Sequence, residues 1–330
     1  MISRLVRRAP ARIDPYRSFG PAGELRFAGR VLANPEITPA EPGEHSARAV
    51  LRMAERFATR EIADEPIVIH IGDRQAETTT DADGYFEATI DVDDGALRSG
   101  SWVHAHGALP DRDDATWVLP SLVVDETTDR LVISDIDDTI LSNGAGNVAR
   151  TVLQTIAGSH LTRRPIDGAP ELYRRLTTIG APAAPPCPVF YVSSSPWNLF
   201  DFLTAFMDHH GFPVGPLLLR DLGLNRSTFG GAHGAHKVSG IAAILDAAPN
   251  ADVVLIGDTS QQDAMAFSTT IIDHLDRVTA AYLRDVGDES KTNEVRQFIV
   301  DEALDDTMLV IDDLAQIADD LAARQWGRSR

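Results

Sequence analysis

The rhythm of apolar and polar positions changes once along this 330-residue chain, near residue 130. Before that point the apolar runs are short and alternate with polar residues, as half-buried strands do. Glu24–Leu32 alternates, Ile67–Ile71 is a β-branched run, and Asp81–Gly84 predicts a turn between Glu77–Thr80 and Tyr85–Ile90. Trp102–His106 and Trp117–Leu119 add two more strands, while Val50, Leu51, Ala54 and Phe57 mark a helix over Ala47–Thr59. Short strands punctuated by Asp and Gly predict a small β-sandwich-like domain.

Beyond residue 130, buried-type strands alternate with helical spacing. Strands are predicted at Leu131–Ser134, Pro188–Ser193, Pro216–Arg220, Val253–Gly257, Val278–Leu283 and Met308–Ile311. Helices are predicted at Val148–Ile156, Gly168–Thr178, Trp197–His209, Lys237–Ala248 and Asn293–Leu304, with a last one ending near Arg324. That alternation predicts an α/β fold, a Rossmann-like parallel sheet with helices on both faces.

Composition narrows the function classes. A net charge of −19 argues against a nucleic-acid partner, because phosphate-backbone binding needs clustered Lys and Arg. The single cysteine, Cys187, has no partner for an internal disulfide and reads as a buried small hydrophobe in a reducing compartment. No apolar run approaches a membrane span and no signal peptide is visible, so a cytoplasmic protein is expected. The opening segment breaks the acidic balance: Arg4, Arg7, Arg8, Arg12 and Arg17 stand with Ile2, Leu5 and Val6, a tail suited to an anionic membrane surface or to no partner at all.

The chemistry starts where the first strand after residue 130 ends. Asp135, Asp137 and Asp138 supply three carboxylates in four residues, followed by Thr139. Buried carboxylates cost several kcal/mol unless paired or metal-bound, so such a strand end faces a cleft, a cation or water. On these residues alone a solvated turn serves equally well. In open parallel sheets, however, ligands bind beyond the carboxyl ends of the strands. Those ends carry Ser193 after the second strand, Arg220 and Asp221 after the third, and Asp258 with Asp263 after the fourth, while Lys237 opens a helix. Phosphoryl transfer to a carboxylate requires these groups: a nucleophile, a proton carrier, carboxylates for a divalent cation, and a hydroxyl and ammonium for the phosphoryl oxygens. The Asp-rich turns upstream are not calcium loops. In Asp91–Gly95 the glycine arrives one position early and the twelfth-position glutamate is missing.

Ser134-Asp-Ile-Asp-Asp-Thr139, Tyr191-Val-Ser-Ser-Ser-Pro-Trp-Asn198, Gly215-Pro-Leu-Leu-Leu-Arg-Asp221, His236-Lys237 and Gly257-Asp258-Thr-Ser-Gln-Gln-Asp263 together resemble the haloacid dehalogenase superfamily. More narrowly, the first four of these resemble its phosphatidate phosphatase catalytic domains of the actin-patch-protein type. The resemblance implies Asp135 as nucleophile and Mg²⁺ ligand, and Asp137 as acid/base with its carbonyl on the metal. It further implies Asp258 and Asp263 at the metal, and Ser193, Lys237 and Arg220 on the substrate phosphate. Ser260, Ala264 and Ser194 depart from the residues that relatives commonly show there. His233 and His236 are read as loop residues more readily than as metal ligands.

The resulting expectation is a basic tail over residues 1–20, a β-rich accessory domain over 21–128 and a haloacid-dehalogenase-like catalytic domain over 129–330. The activity implied is Mg²⁺-dependent hydrolysis of a phosphomonoester, phosphatidate at a membrane surface, through an aspartyl phosphate. A soluble phosphate ester as substrate, or a non-catalytic scaffold, are the alternatives.

Overall fold

The computed structural model describes residues 11–33, 55, 58–92, 95, 97–112, 115–142, 163–179, 186–220 and 235–326. The helix expected at Val148–Ile156, nearly all of that at Ala47–Thr59, and Arg4, Arg7, Arg8, Asp221 and His233 lie outside these residues. The chain forms two compact units, meeting in sequence between Asp125 and Glu126.

The first unit is a β-sandwich. One sheet has the order β1-β3-β6, from Arg12–Pro15, Leu25–Leu32 and Tyr85–Ile90. The other has the order β2-β8-β7-β4-β5, from Ser18–Gly20, Thr116–Val123, Trp102–Ala108, Pro66–Ile71 and Arg74–Thr79. Alternation does the sorting: Phe86, Ala88 and Ile90 on β6, Ile67 and Ile69 on β4, and Leu25 and Phe27 on β3 all enter one core. One expectation changes here. The basic tail does not run to residue 20, because Arg12–Pro15 and Ser18–Gly20 are strands, with Ile13 buried in the core. The strands on either side of Asp81–Gly84 do not pair as a hairpin; β5 and β6 belong to different sheets. Asp81 Oδ1 accepts the N–H groups of Asp83 and Tyr85 at 3.0 and 2.9 Å, which ties the corner where the chain changes sheet.

The second unit is organised by a six-stranded sheet of order β11-β10-β9-β12-β13-β14, parallel throughout. The strands are Leu217–Arg220, Val189–Pro196, Arg130–Ser134, Asp252–Asp258, Val278–Arg284 and Met308–Ile311. All five residues of β9 are buried, as expected of a central strand covered on both faces. Among the described residues the α-helices of this unit are α1 Ala169–Leu176, α2 Phe200–His210, α3 Ala235–Ala247, α4 Gln261–Asp273, α5 Glu289–Asp301 and α6 Ala315–Ala323. Helix α4 packs between α3 and α5, and α1 packs on α6. An edge-on contact of Tyr173 with Phe212, which stacks on Phe206, links α1 to α2. Right-handed crossovers place these two groups on opposite faces, which is the expected doubly wound arrangement.

Sequence places the ends of these elements. Gly168 and Gly211, both left-handed (φ +78° and +73°), start α1 and stop α2. Helix α4, not foreseen as a separate element, is capped by Ser260, which accepts from the Asp263 N–H.

The chain turns from β9 toward β10 on one side and comes back to β12 on the other. The ends of β9 and β12 therefore flank the switch point where ligands bind in such sheets.

Gly215 is buried at the entry to β11, where an added Cβ would run into the Val189 carbonyl oxygen. Gly215→Ala is expected to lower the melting temperature by about 4–10 °C, from an overpacking cost of about 1–3 kcal/mol; an unchanged midpoint would show that the chain does not approach β10 so closely. Cys187 is buried, and burial pushes its thiol up to about 12. Because the thiolate is the reactive form, iodoacetamide at pH 8 should label the native protein negligibly and the urea-unfolded protein fully.

Candidate active site

Asp135 leaves the end of β9 with its N–H donated to the Ile256 carbonyl of β12 at 2.8 Å. The next residues wind into one tight turn: the Ile136 carbonyl accepts the N–H groups of Thr139, Ile140 and Leu141 at 3.3, 3.0 and 3.0 Å. Asp138 occupies the strained position of that turn, with φ +54°. Its carbonyl accepts Nε and Nη2 of Arg284, at the end of β13, at 2.8 and 2.5 Å, so two charge-assisted bonds hold the left-handed residue in place. Beneath the turn, Ser134 Oγ donates to the Asp135 carbonyl at 2.6 Å and meets the buried Tyr173 hydroxyl at 2.5 Å.

The turn delivers two carboxylates into different surroundings. Asp135 is buried, with Oδ1 2.6 Å from Lys237 Nζ and Oδ2 accepting from Thr139 Oγ1 at 3.2 Å. Asp137 is half-buried, and its Oδ2 accepts from Ser193 Oγ at 2.9 Å and from Ser195 Oγ at 3.0 Å. Ser193 Oγ also accepts the Ser195 N–H at 2.9 Å, which locks the two hydroxyls in register.

Lys237, third in α3, is buried and its ammonium also bonds Asp263 Oδ1. Asp263 is fully buried; its Oδ2 accepts the Asp258 N–H at 3.1 Å. A Cβ at Gly257 would lie 2.5 Å from that same oxygen, so the glycine is required for Asp263 to reach across. Asp258 Oδ1 accepts the Ser260 N–H at 2.9 Å. Both Asp263 oxygens are therefore engaged inside the protein.

Electrostatically the cluster is short of positive charge. Burial, reinforced by Asp263, Asp137 and Asp258 and opposed by Lys237, holds the Asp135 carboxyl well above its ordinary value. Burial and then Asp263 push Asp258 up to about 7. Burial alone would lower Lys237, but the charges of Asp135 and Asp263 raise it, so the ammonium stays protonated. Among the described residues no three acidic, histidine or cysteine side chains converge as a closed metal cage. The all-oxygen donors at the strand ends, Asp135, Asp258 and the Asp137 carbonyl, fit a hard cation that completes its shell with water and substrate oxygens.

Asp135, Asp137, Ser193, Lys237, Asp258 and Asp263 thus meet at one end of the sheet. Arg220 ends the neighbouring β11, half-buried and acting on the buried His236, whose ring burial keeps neutral. Ser195, Tyr173, Arg284 and Arg163 were not singled out in the sequence. Ser195 alone carried a signal, since strand alternation puts it on the same side as Ser193.

Residues 130–285 match the family of the phosphatidate phosphatase APP1 catalytic domain. This span carries every residue of the cluster, and the chain resembles that family as its motifs suggested. Phosphatidate phosphatase APP1 of Saccharomyces cerevisiae is 32% identical over 178 residues, 51% of this chain and 29% of the yeast protein. An uncharacterised protein of Schizosaccharomyces pombe is 27% identical over 156 residues, 47% of this chain and 25% of that protein. The chain thus spans less than a third of the length of these two relatives. Among solved structures, the HAD domain of effector protein Lem4 from Legionella pneumophila aligns over 53% of this chain and 95% of that domain, at 11% identity and a TM-score of 0.32. At that score the likeness adds nothing to the sheet topology itself.

Removing the ammonium while leaving its two buried acids should be costly. Lys237→Met is expected to lose about 3–5 kcal/mol in urea unfolding, and Lys237→Met with Asp263→Asn to recover part of it. Equal stability of wild type and Lys237→Met would refute the buried ion cluster.

Proposed function

We propose that the second unit hydrolyses phosphomonoesters through an aspartyl phosphate on Asp135, with phosphatidate as the substrate. The observation that carries this is the division of labour between two carboxylates of one turn. Asp135 is buried against an ammonium and directed by Thr139, a placement suited to in-line attack on phosphorus. Asp137 is more exposed and hydroxyl-bound, free to carry a proton to and from the cleft.

In the first step a carboxylate oxygen of Asp135 bonds to phosphorus, the phosphorus–oxygen ester bond breaks, and Asp137 gives its proton to the departing alkoxide. In the second, Asp137 takes a proton from water as that water attacks phosphorus, returning Asp135 and releasing phosphate. Lys237 provides a donor for the non-bridging oxygens, the Ser193 hydroxyl provides another once its one proton turns from Asp137, and Arg220 lends positive charge at the rim. Asp135, Asp258 and the Asp137 carbonyl would hold Mg²⁺, with Asp263 supporting the shell from behind by fixing Lys237 and the Asp258 backbone. When bound, the ion neutralises phosphoryl charge and screens the carboxylates from it. General acid/base help of this kind contributes about 10²- to 10⁴-fold.

Phosphatidate enters from the activity named for the yeast relative and from the motif resemblance. Among the described residues no helix is long and apolar enough to cross a membrane. A lipid substrate would thus be met at a surface, for which the N-terminal arginines are the sequence candidate. Of these, Arg12 is already engaged with Asp14 at 2.7 and 3.0 Å.

Phosphate release should be measured from phosphatidate in mixed micelles and from a small aryl phosphate, with Mg²⁺ or chelator. The expected outcome is Mg²⁺-dependent turnover of phosphatidate, abolished in Asp135→Asn and reduced about 10²- to 10⁴-fold in Asp137→Asn. Turnover of the aryl ester alone would sink the lipid assignment; full activity of Asp135→Asn would overturn the nucleophile.

A further inference from the structure

One guanidinium at the site retains unused hydrogen-bonding capacity. Residues 164–166 run against the segment leaving the catalytic turn: Ser142 donates to the Arg164 carbonyl at 3.3 Å, Ile166 donates to the Ile140 carbonyl at 3.0 Å, and Leu141 bridges Pro165. On the other side His210 Nε2 lies 3.1 Å from the Arg163 carbonyl. These contacts pin the Arg163 backbone close to the turn that carries Asp137.

The Arg163 side chain is half-buried and lies in the field of Asp137. Its Nη2 is buried and has no hydrogen-bond partner among the described residues. A buried donor left unpaired costs about 1–3 kcal/mol, a penalty that an incoming acceptor removes. Two neighbouring cations are already engaged. Lys237 is held between Asp135 and Asp263, and Arg284 bonds the carbonyls of Asp138 and Asp285.

Resting on the phosphomonoesterase reading above, we propose that Arg163 sets substrate specificity by donating to an oxygen of the leaving alcohol. Asp137 protonates the bridging oxygen, so a donor held against the turn that carries Asp137 falls on the leaving side of the scissile bond. Lys237 and Asp135 define the phosphoryl side. The ligand chemistry is an acceptor oxygen close to the phosphoester: an ester carbonyl in phosphatidate, a hydroxyl in glycerol 3-phosphate. An aryl phosphate offers neither.

The test compares kcat and KM of wild type, Arg163→Met and Arg163→Lys on these three substrates, with melting temperatures to confirm folding. Loss of a charge-assisted bond should raise KM for phosphatidate about 10- to 100-fold in Arg163→Met. The ratio of its kcat/KM to that for the aryl phosphate should fall by the same order, and Arg163→Lys should recover part. A matching loss on glycerol 3-phosphate identifies the glycerol oxygens as the acceptor, whereas a loss confined to phosphatidate identifies the ester carbonyl. An unchanged selectivity ratio in folded Arg163→Met overturns the proposal. If wild type turns over none of the three, the hydrolase reading fails but Arg163 remains testable. Calorimetric binding of a short-chain phosphonate analogue of phosphatidate should then weaken about 10-fold or more in Arg163→Met, and equal affinity overturns the assignment.

Discussion

An ammonium held between two buried carboxylates is the constraint on which the second unit's site depends. Lys237 reaches from α3 to Asp135 at the end of β9 and to Asp263 in α4. Remove it and two buried carboxylates lose the cation between them. Keep it, and three elements that are far apart in sequence are tied at one point. Asp263 extends the tie to β12 through the Asp258 N–H, and only a glycine at 257 leaves room for that reach. The ammonium does not balance the acids around it, since Asp135 and Asp258 both remain raised by burial and by their neighbours. That deficit of positive charge is what the proposed Mg²⁺ would offset.

The second constraint is backbone strain. Asp138 takes a left-handed conformation that costs an ordinary residue of order 1 kcal/mol or more, and Arg284 holds its carbonyl there from the end of β13. The turn closes within one helical winding and points Asp135 and Asp137 in different directions. Asp138, near both in sequence, has a backbone role in this arrangement, and the two carboxylates proposed for the chemistry precede it. Ser193 shows a similar refinement. The motif resemblance assigns it to the phosphate, and its buried hydroxyl is placed on Asp137, the carboxylate proposed as acid/base, which it can orient.

Local features of the chain were readable from sequence because each depends on near neighbours. The continuous apolar run of β9, the glycine before Asp258 and the strand-to-helix order follow from periodicity and turn chemistry, and together they located the cluster. The partners that fix it were not readable. Arg284 lies 146 residues from Asp138, and Tyr173 lies 39 from Ser134; nothing in their own surroundings marks them. Arg163 opens the stretch Arg163-Arg164-Pro165, whose charge gives no sign of a site until residues 164–166 are seen pairing with Ile140–Ser142. In the first unit, the alternation in β5 and β6 was visible, but their membership of separate sheets is set by packing across the sandwich. The strand at Arg12–Pro15 was hidden by its charge: Arg12 and Asp14 satisfy one another while Ile13 turns inward.

On the proposed mechanism Asp135 bonds to phosphorus while Asp137 moves the proton. An aryl phosphate has a leaving group that departs without an acid, so Asp137→Asn should still phosphorylate but should hydrolyse the product slowly. Acid-quenched Asp137→Asn, incubated with Mg²⁺ and a small aryl phosphate and digested for mass spectrometry, tests this directly. The account predicts a phosphate on the peptide containing Asp135 that disappears in Asp135→Asn. Steady aryl phosphate turnover with no protein-bound phosphate at any quench time would contradict it.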